Sequence, residues 1–162
     1  QKTAYEIGVR LVGSEMCIRD SCVAGPRWAE LAAARPARRV ALAFLSPTTF
    51  RQGPGHLPLP LPFNVFSWPW RVWQAHGPGG LDEAWLEWCR RDVFVTAAAI
   101  ETVPMRITPN DELVGFVGRA TFETSRGTRE QLSLLHALAQ LAAYSGVGHK
   151  TTMGMGAVAL AD

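Results

Sequence analysis

The sequence predicts an α+β domain of the ferredoxin-like kind, βαββαβ, in which helices cover one face of an antiparallel sheet. Three observations predict it. An apolar run at residues 40–45 (VALAFL) reads as a buried strand. Residues 113–123 alternate apolar and polar, the mark of a half-buried strand, and follow a β-branched stretch across a turn. A helical apolar period after Thr128 then gives a long helix, followed by a short apolar segment at residues 157–160 that returns to the sheet.

Taken in order, residues 27–34 (RWAELAAA) favour a short helix by propensity, and Pro36 stops it because proline lacks an N–H and restricts the residue before it. Arg35, Arg38 and Arg39 follow as a basic cluster at the helix end, where a solvated turn complements the helix dipole. The first strand closes at Ser46-Pro47-Thr48-Thr49. Residues 50–61 (FRQGPGHLPLPL) carry two glycines and three prolines and read as an irregular, partly extended surface loop.

Pro62 opens a helix with Phe63, Phe66, Trp70 and Trp73 on one face, and Pro69 inside it implies a kink or a break. Trp68, Trp70 and Trp73 could stack on bases, but core packing is preferred for two of them. Residues 81–91 (LDEAWLEWCRR) form a second helical piece whose terminal charges suit the macrodipole. Residues 93–107 hold β-branched stretches in which Pro104 argues for an edge or a bulge, and Thr108-Pro109-Asn110-Asp111 is the turn. In the alternating strand, Val114, Phe116, Gly118, Ala120 and Phe122 face one way, and Val117, Arg119, Thr121 and Glu123 the other. Thr128 and Gln131 fit a capping box for the last helix, whose apolar face is Leu134, Leu135, Leu138, Leu141 and Ala142 and which Gly146 closes.

With 162 residues, 48% hydrophobic and 19% charged, the chain suits one domain with a substantial core. A net charge of +2 gives no global basic field, so any nucleic-acid binding must rest on local clusters such as Arg35, Arg38 and Arg39 or Arg90 and Arg91. Cys17, Cys22 and Cys89 have no metal-ligand spacing and make no even disulfide set, which fits a reducing cytoplasm. No apolar run approaches the roughly 20 residues of a membrane span. The expectation is a cytoplasmic protein with neither a metal nor a membrane partner.

The most informative stretch is residues 146–156 (GVGHKTTMGMG), with Gly146, Gly148, Gly154 and Gly156 around Lys150. A Walker A loop would leave a strand and open a helix, whereas this loop leaves a helix and enters a strand. A dinucleotide fingerprint would need a glycine where Thr151 stands. What remains is a loop whose glycines let another molecule approach the main chain and whose N–H groups and lysine suit a phosphate backbone. His56, His76 and His136 form no recognisable pair with a base or carboxylate, and Arg51 and Arg119 are candidate phosphate contacts.

Residues 1–21 (QKTAYEIGVRLVGSEMCIRDS) show no helix or strand period. They resemble the conceptual translation of a sequencing-adapter oligonucleotide, so native coding is expected to begin near Cys22 and the true N-terminal part to be missing. Residues 22–162 are then the native part of the chain. Dropping Lys2, Arg10, Arg19, Glu6, Glu15 and Asp20 leaves the net charge unchanged.

Residues 44–52 (FLSPTTFRQ), 57–60 (LPLP), 114–122 (VGFVGRATF) and 143–158 (AYSGVGHKTTMGMGAV) together resemble the CRISPR-associated repeat-processing endoribonuclease family of the RAMP superfamily. The resemblance covers roughly residues 29–160, the family's C-terminal domain, and implies that residues 22–162 are the C-terminal ferredoxin-like RNA-binding domain of a two-domain protein. It implies a metal-independent enzyme, without cofactor, that cuts precursor CRISPR RNA within each repeat by attack of the 2′-hydroxyl on the adjacent phosphate. CRISPR repeat RNA is then the partner, together with other effector subunits. The expected RNA-binding set is Gly146, Gly148, His149, Lys150, Thr151, Gly154 and Gly156, with Arg51 and Arg119. His149 falls where the family varies, and the family's general acid-base histidine usually lies in the other domain, so no catalytic residue is assigned. A non-catalytic RAMP-type scaffold subunit holding guide RNA is the alternative.

Overall fold

The computed structural model describes residues 27–108 and 111–162. The adapter-like segment, residues 1–21, and Pro109-Asn110 at the centre of the expected turn lie outside the described residues. In chain order the elements are α1 (Trp28–Ala32), β1 (Arg39–Thr48), β2 (Phe50–Gln52), β3 (Gly55–Leu57), α2 (Pro62–His76) and α3 (Ala84–Asp92). They continue with β4 (Phe94–Thr108), β5 (Asp111–Glu123), α4 (Arg129–Ser145), a 3-10 turn (Thr151–Met153) and β6 (Val158–Ala161).

The main sheet has the order β4-β5-β1-β6 with every neighbouring pair antiparallel. With β2 and β3 set aside, this is the ferredoxin-like order expected from the sequence. Val40, Leu42 and Phe44 of β1 share one face with Phe116, Ala120 and Phe122 of β5. Against that face pack Phe66, Trp70 and Trp73 of α2, Trp85 and Trp88 of α3, and Leu135, Leu138 and Ala142 of α4. The Phe66 and Phe122 rings meet edge to face at 5.3 Å, tying α2 to the centre of the sheet.

Four expectations are refined. First, β1 does not end at Ser46: the register shifts between Phe44 and Thr48, and the Leu45 and Ser46 amides both donate to the Ala157 carbonyl. Pro47 falls in this bulge, where a ladder N–H is not needed. Second, residues 50–61 are not wholly irregular. Phe50 pairs with Leu57 and Arg51 with His56 in a β2–β3 hairpin, turned at Gly53 with a φ of 55°. Third, Pro69 does not break α2, because the buried Val65, Phe66, Trp70 and Trp73 on either side of it hold both halves to the core. Fourth, Val114 is 45% exposed, since β1 stops pairing with β5 at Phe116 and the hairpin runs on two strands wide beyond it.

The capping box of α4 is present as expected: the Gln131 amide donates to Thr128 Oγ1 at 3.2 Å, and the Thr128 amide to Gln131 Oε1 at 2.9 Å. Pro104 sits on β4, an edge strand, where proline is tolerated. Among the described residues, no helix is long and apolar enough to cross a membrane.

Candidate nucleic-acid interface

The glycine loop is fastened to the end of β1. Gly146, with a φ of 66°, turns the chain out of α4, and Val147 is fully buried directly after it. The Val147 amide donates to the Gly156 carbonyl at 2.9 Å, the Gly156 amide to the Pro47 carbonyl at 3.1 Å, and the His149 amide to the Thr49 carbonyl at 2.9 Å. Two glycines are required by this knot. A Cβ on Gly148 would lie 2.5 Å from the Thr49 carbonyl oxygen, and one on Gly156 would collide with that of Val147. The close approach expected of another molecule is therefore met at these two positions by the chain's own backbone. Gly154 differs: nothing lies within 4 Å of the place its Cβ would occupy.

Between this knot, β2 and the outer face of α2 lies an open cleft of about 330 Å³. Phe50 and Arg51 line it from β2, Gly148 and His149 from the loop, and Phe63, Asn64, Ser67, Trp68 and Arg71 from α2. The lining contains two guanidinium groups and no carboxylate, so the cleft attracts anions although the whole chain is nearly neutral. Trp68 is 38% exposed and donates its indole Nε1–H to the Ser145 carbonyl at 3.2 Å, which fixes the ring at the cleft wall. Behind the cleft wall the Arg90 guanidinium lies 4.0 Å from the centre of the Phe63 ring and pairs with Glu87 at 3.8 Å. His56, opposite Arg51 across the hairpin, brings its ring centroid to 5.3 Å from that of His149.

The structure thus brings Arg51, Gly148 and His149 to one place. Lys150, Thr151 and Gly154 continue along the same loop, with Lys150 in the left-handed region at a φ of 58°. Gly146 and Gly156 form the inner side of the knot. Arg119 is not in this group: it pairs with Ala43 and Ala99 and is exposed on the sheet face away from the helices. Trp70 and Trp73 are core, and Trp68 is the one tryptophan of the three at the surface.

Sequence reasoning missed Asn64, Ser67 and Arg71, and it placed His56 in an irregular loop. The spacing 64, 67, 71 carried the signal, because these polar residues fall at i, i+3 and i+7 and so share one face of α2 beside the apolar stripe. The other basic clusters serve the fold. Arg38 donates to the Ser125 carbonyl at 2.7 Å, Arg39 pairs with Glu123 at 3.3 Å, and Arg91 pairs with Asp92 at 2.8 Å. His136 lies 3.0 Å from the Arg35 carbonyl through Nδ1 and 3.2 Å from Gln140 through Nε2, a satisfied structural histidine.

The family model described as "CRISPR-associated endoribonuclease Cas6" matches residues 42–158, from the core of β1 through the glycine loop to the start of β6. The chain belongs to the Cas6 family. Curated Cas6 endoribonucleases from two Mycobacterium tuberculosis strains are 33% identical over 138 residues, which are 82% of this chain. The matched part spans 42% of the length of those relatives. Among solved structures, the Cas6 (TTHA0078) product complex is similar at a TM-score of 0.78 and 34% identity, over 85% of this chain and 57% of that one. Thermus thermophilus Cas6 (TTHB231) follows at a TM-score of 0.77 and 29% identity, over 84% and 58% of the two chains. The Cas6 match includes Arg51, Arg71 and the whole glycine loop, so the cleft lies inside the shared region.

Proposed function

We propose that this chain is the RNA-holding, C-terminal ferredoxin-like part of a CRISPR repeat-processing endoribonuclease. The observation that carries the proposal is the cleft beside the glycine loop, which gathers Arg51, Arg71 and His149 with no carboxylate in its wall. Precursor CRISPR RNA is the substrate. Cleavage proceeds by attack of a 2′-hydroxyl on the adjacent phosphorus, which expels the 5′-oxygen of the next nucleotide and leaves a 2′,3′-cyclic phosphate. One group must take the 2′-hydroxyl proton and another must give a proton to the leaving oxygen. We assign that histidine chemistry to the other ferredoxin-like domain and RNA retention to this one, in the cytoplasm, with other Cas effector subunits as further partners.

The test is to mix the chain with CRISPR repeat RNA in the presence of a chelator. The expected result is salt-sensitive binding with the RNA left intact. Robust cutting by this chain alone would overturn the division of labour, and absence of binding would overturn the RNA-holding role. Lys150→Ala is expected to weaken binding and to lower the salt slope by about one.

A further inference from the structure

The cleft has the build of a pocket for a single unpaired nucleotide. Its volume, about 330 Å³, stands at the lower end of small-molecule sites, roughly 300–1,000 Å³. A duplex buries its base faces in its own stack and would present only backbone to such a cleft, whereas an unpaired base can leave the strand and stack on an aromatic side chain. Trp68 supplies that platform. Phe50 is only 5% exposed, and one face of Phe63 is already covered by Arg90, whereas Trp68 is 38% exposed with its ring held by Ser145.

The charges complete the arrangement. Arg51 comes from β2 and Arg71 lies one helical turn beyond Ser67 on α2, and both line the cleft that Trp68 walls. Among the described residues, neither arginine has a carboxylate within salt-bridge distance, so both guanidinium groups remain available to a phosphate. Asn64 and Ser67 add short polar groups to the same wall, suited to the edge of a base.

We infer that the cleft captures one extruded nucleotide of single-stranded RNA, with its base stacked on Trp68 and its phosphate held by Arg51 and Arg71. This rests on the RNA-holding role proposed above and specifies how that role is carried out.

The experiment compares binding of a short single-stranded RNA with binding of the blunt duplex formed by the same strand and its complement. The full chain should prefer the single strand. Trp68→Ala should weaken single-strand binding by roughly 5- to 100-fold and leave duplex binding unchanged, since stacking supplies about that much per base. Trp68→Phe, which keeps an aromatic face but loses the bond to Ser145, should recover most of the affinity and so separates stacking from folding. Arg71→Ala should weaken single-strand binding and lower its salt slope by about 0.7. Unchanged single-strand binding in Trp68→Ala, or equal loss for strand and duplex, overturns the inference while the RNA-holding role stands. Failure of the unaltered chain to bind either RNA overturns both.

Discussion

At the scale of single residues, the glycines of the loop divide by what surrounds them. Gly156 has a φ of 70°, and a Cβ there would collide with the Val147 carbonyl, so Gly156→Ala should cost more than about 3 kcal/mol and lower the urea midpoint accordingly. Gly154 has a φ of 83° and empty space around it, so Gly154→Ala should cost only about 1 kcal/mol. Equal losses in the two variants would remove the distinction. Cys89 provides a pH test. Burial pushes its thiol up from 9.0 to about 12, so between those values the unfolded chain loses the proton while the folded chain keeps it. Stability therefore falls as pH rises through that window, by about 1.4 kcal/mol per pH unit from this group. Between about pH 8 and about pH 10 the unaltered chain should lose about 1.4 kcal/mol more than Cys89→Ala, as read from urea unfolding. The turn glycines of the loop were legible in the sequence because that motif is local. Asn64, Ser67 and Arg71 were not, because their meaning comes from β2 folding against α2, a contact that spacing alone does not announce.

At the scale of elements, the capping box shows where local sequence suffices. Thr128 satisfies the Gln131 amide and Gln131 returns the bond, so Thr128→Ala should lower stability by about 1 kcal/mol in thermal or urea unfolding, with Thr128→Ser close to neutral. The long hairpin was legible for the same reason, since alternation, turn and the edge proline agree with one another. Three boundaries were not. β1 continues through Ser46 and Pro47 because β6 returns to it and the Ala157 carbonyl accepts from two successive amides, a long-range event. The short β2–β3 hairpin forms in a stretch whose prolines and glycines spoke for a loop. Helix α3 begins at Ala84 rather than near Leu81, because Gln74 of α2 grips the Leu81 backbone at both ends, donating to its carbonyl at 2.6 Å and accepting from its amide at 2.8 Å.

At the scale of the whole molecule, near-neutral net charge and local cation clustering together set the expected salt response. Only the few cations around the cleft and loop should release counterions on RNA binding, so the salt slope should be shallow and most of it should disappear in Arg51→Ala/Arg71→Ala/Lys150→Ala. A slope unchanged in that variant would move the interface elsewhere, with Arg119 on the opposite sheet face as the first place to look. The fold class was legible in the sequence because the order strand, helices, hairpin, helix, strand matches the ferredoxin-like pattern. The cleft was not, because it joins β2 and α2 to a loop that follows only after α3, the long hairpin and α4.

The fastening of the glycine loop also bears on the order in which the chain assembles its cleft. The bond from the Ala157 amide to Ser46 Oγ, 2.9 Å long, joins residues 111 positions apart, and the Gly156–Pro47 and His149–Thr49 bonds span comparable intervals. Contacts of such long sequence separation pay most of their loop-closure entropy before they are rewarded. The glycine loop should therefore be among the last parts to form, and its bonds should be absent from the folding transition state. Gly156→Ala should accordingly speed unfolding while leaving the refolding rate nearly unchanged in stopped-flow kinetics. The cleft would then stay incomplete until the final strand has docked, which ties its assembly to completion of the fold.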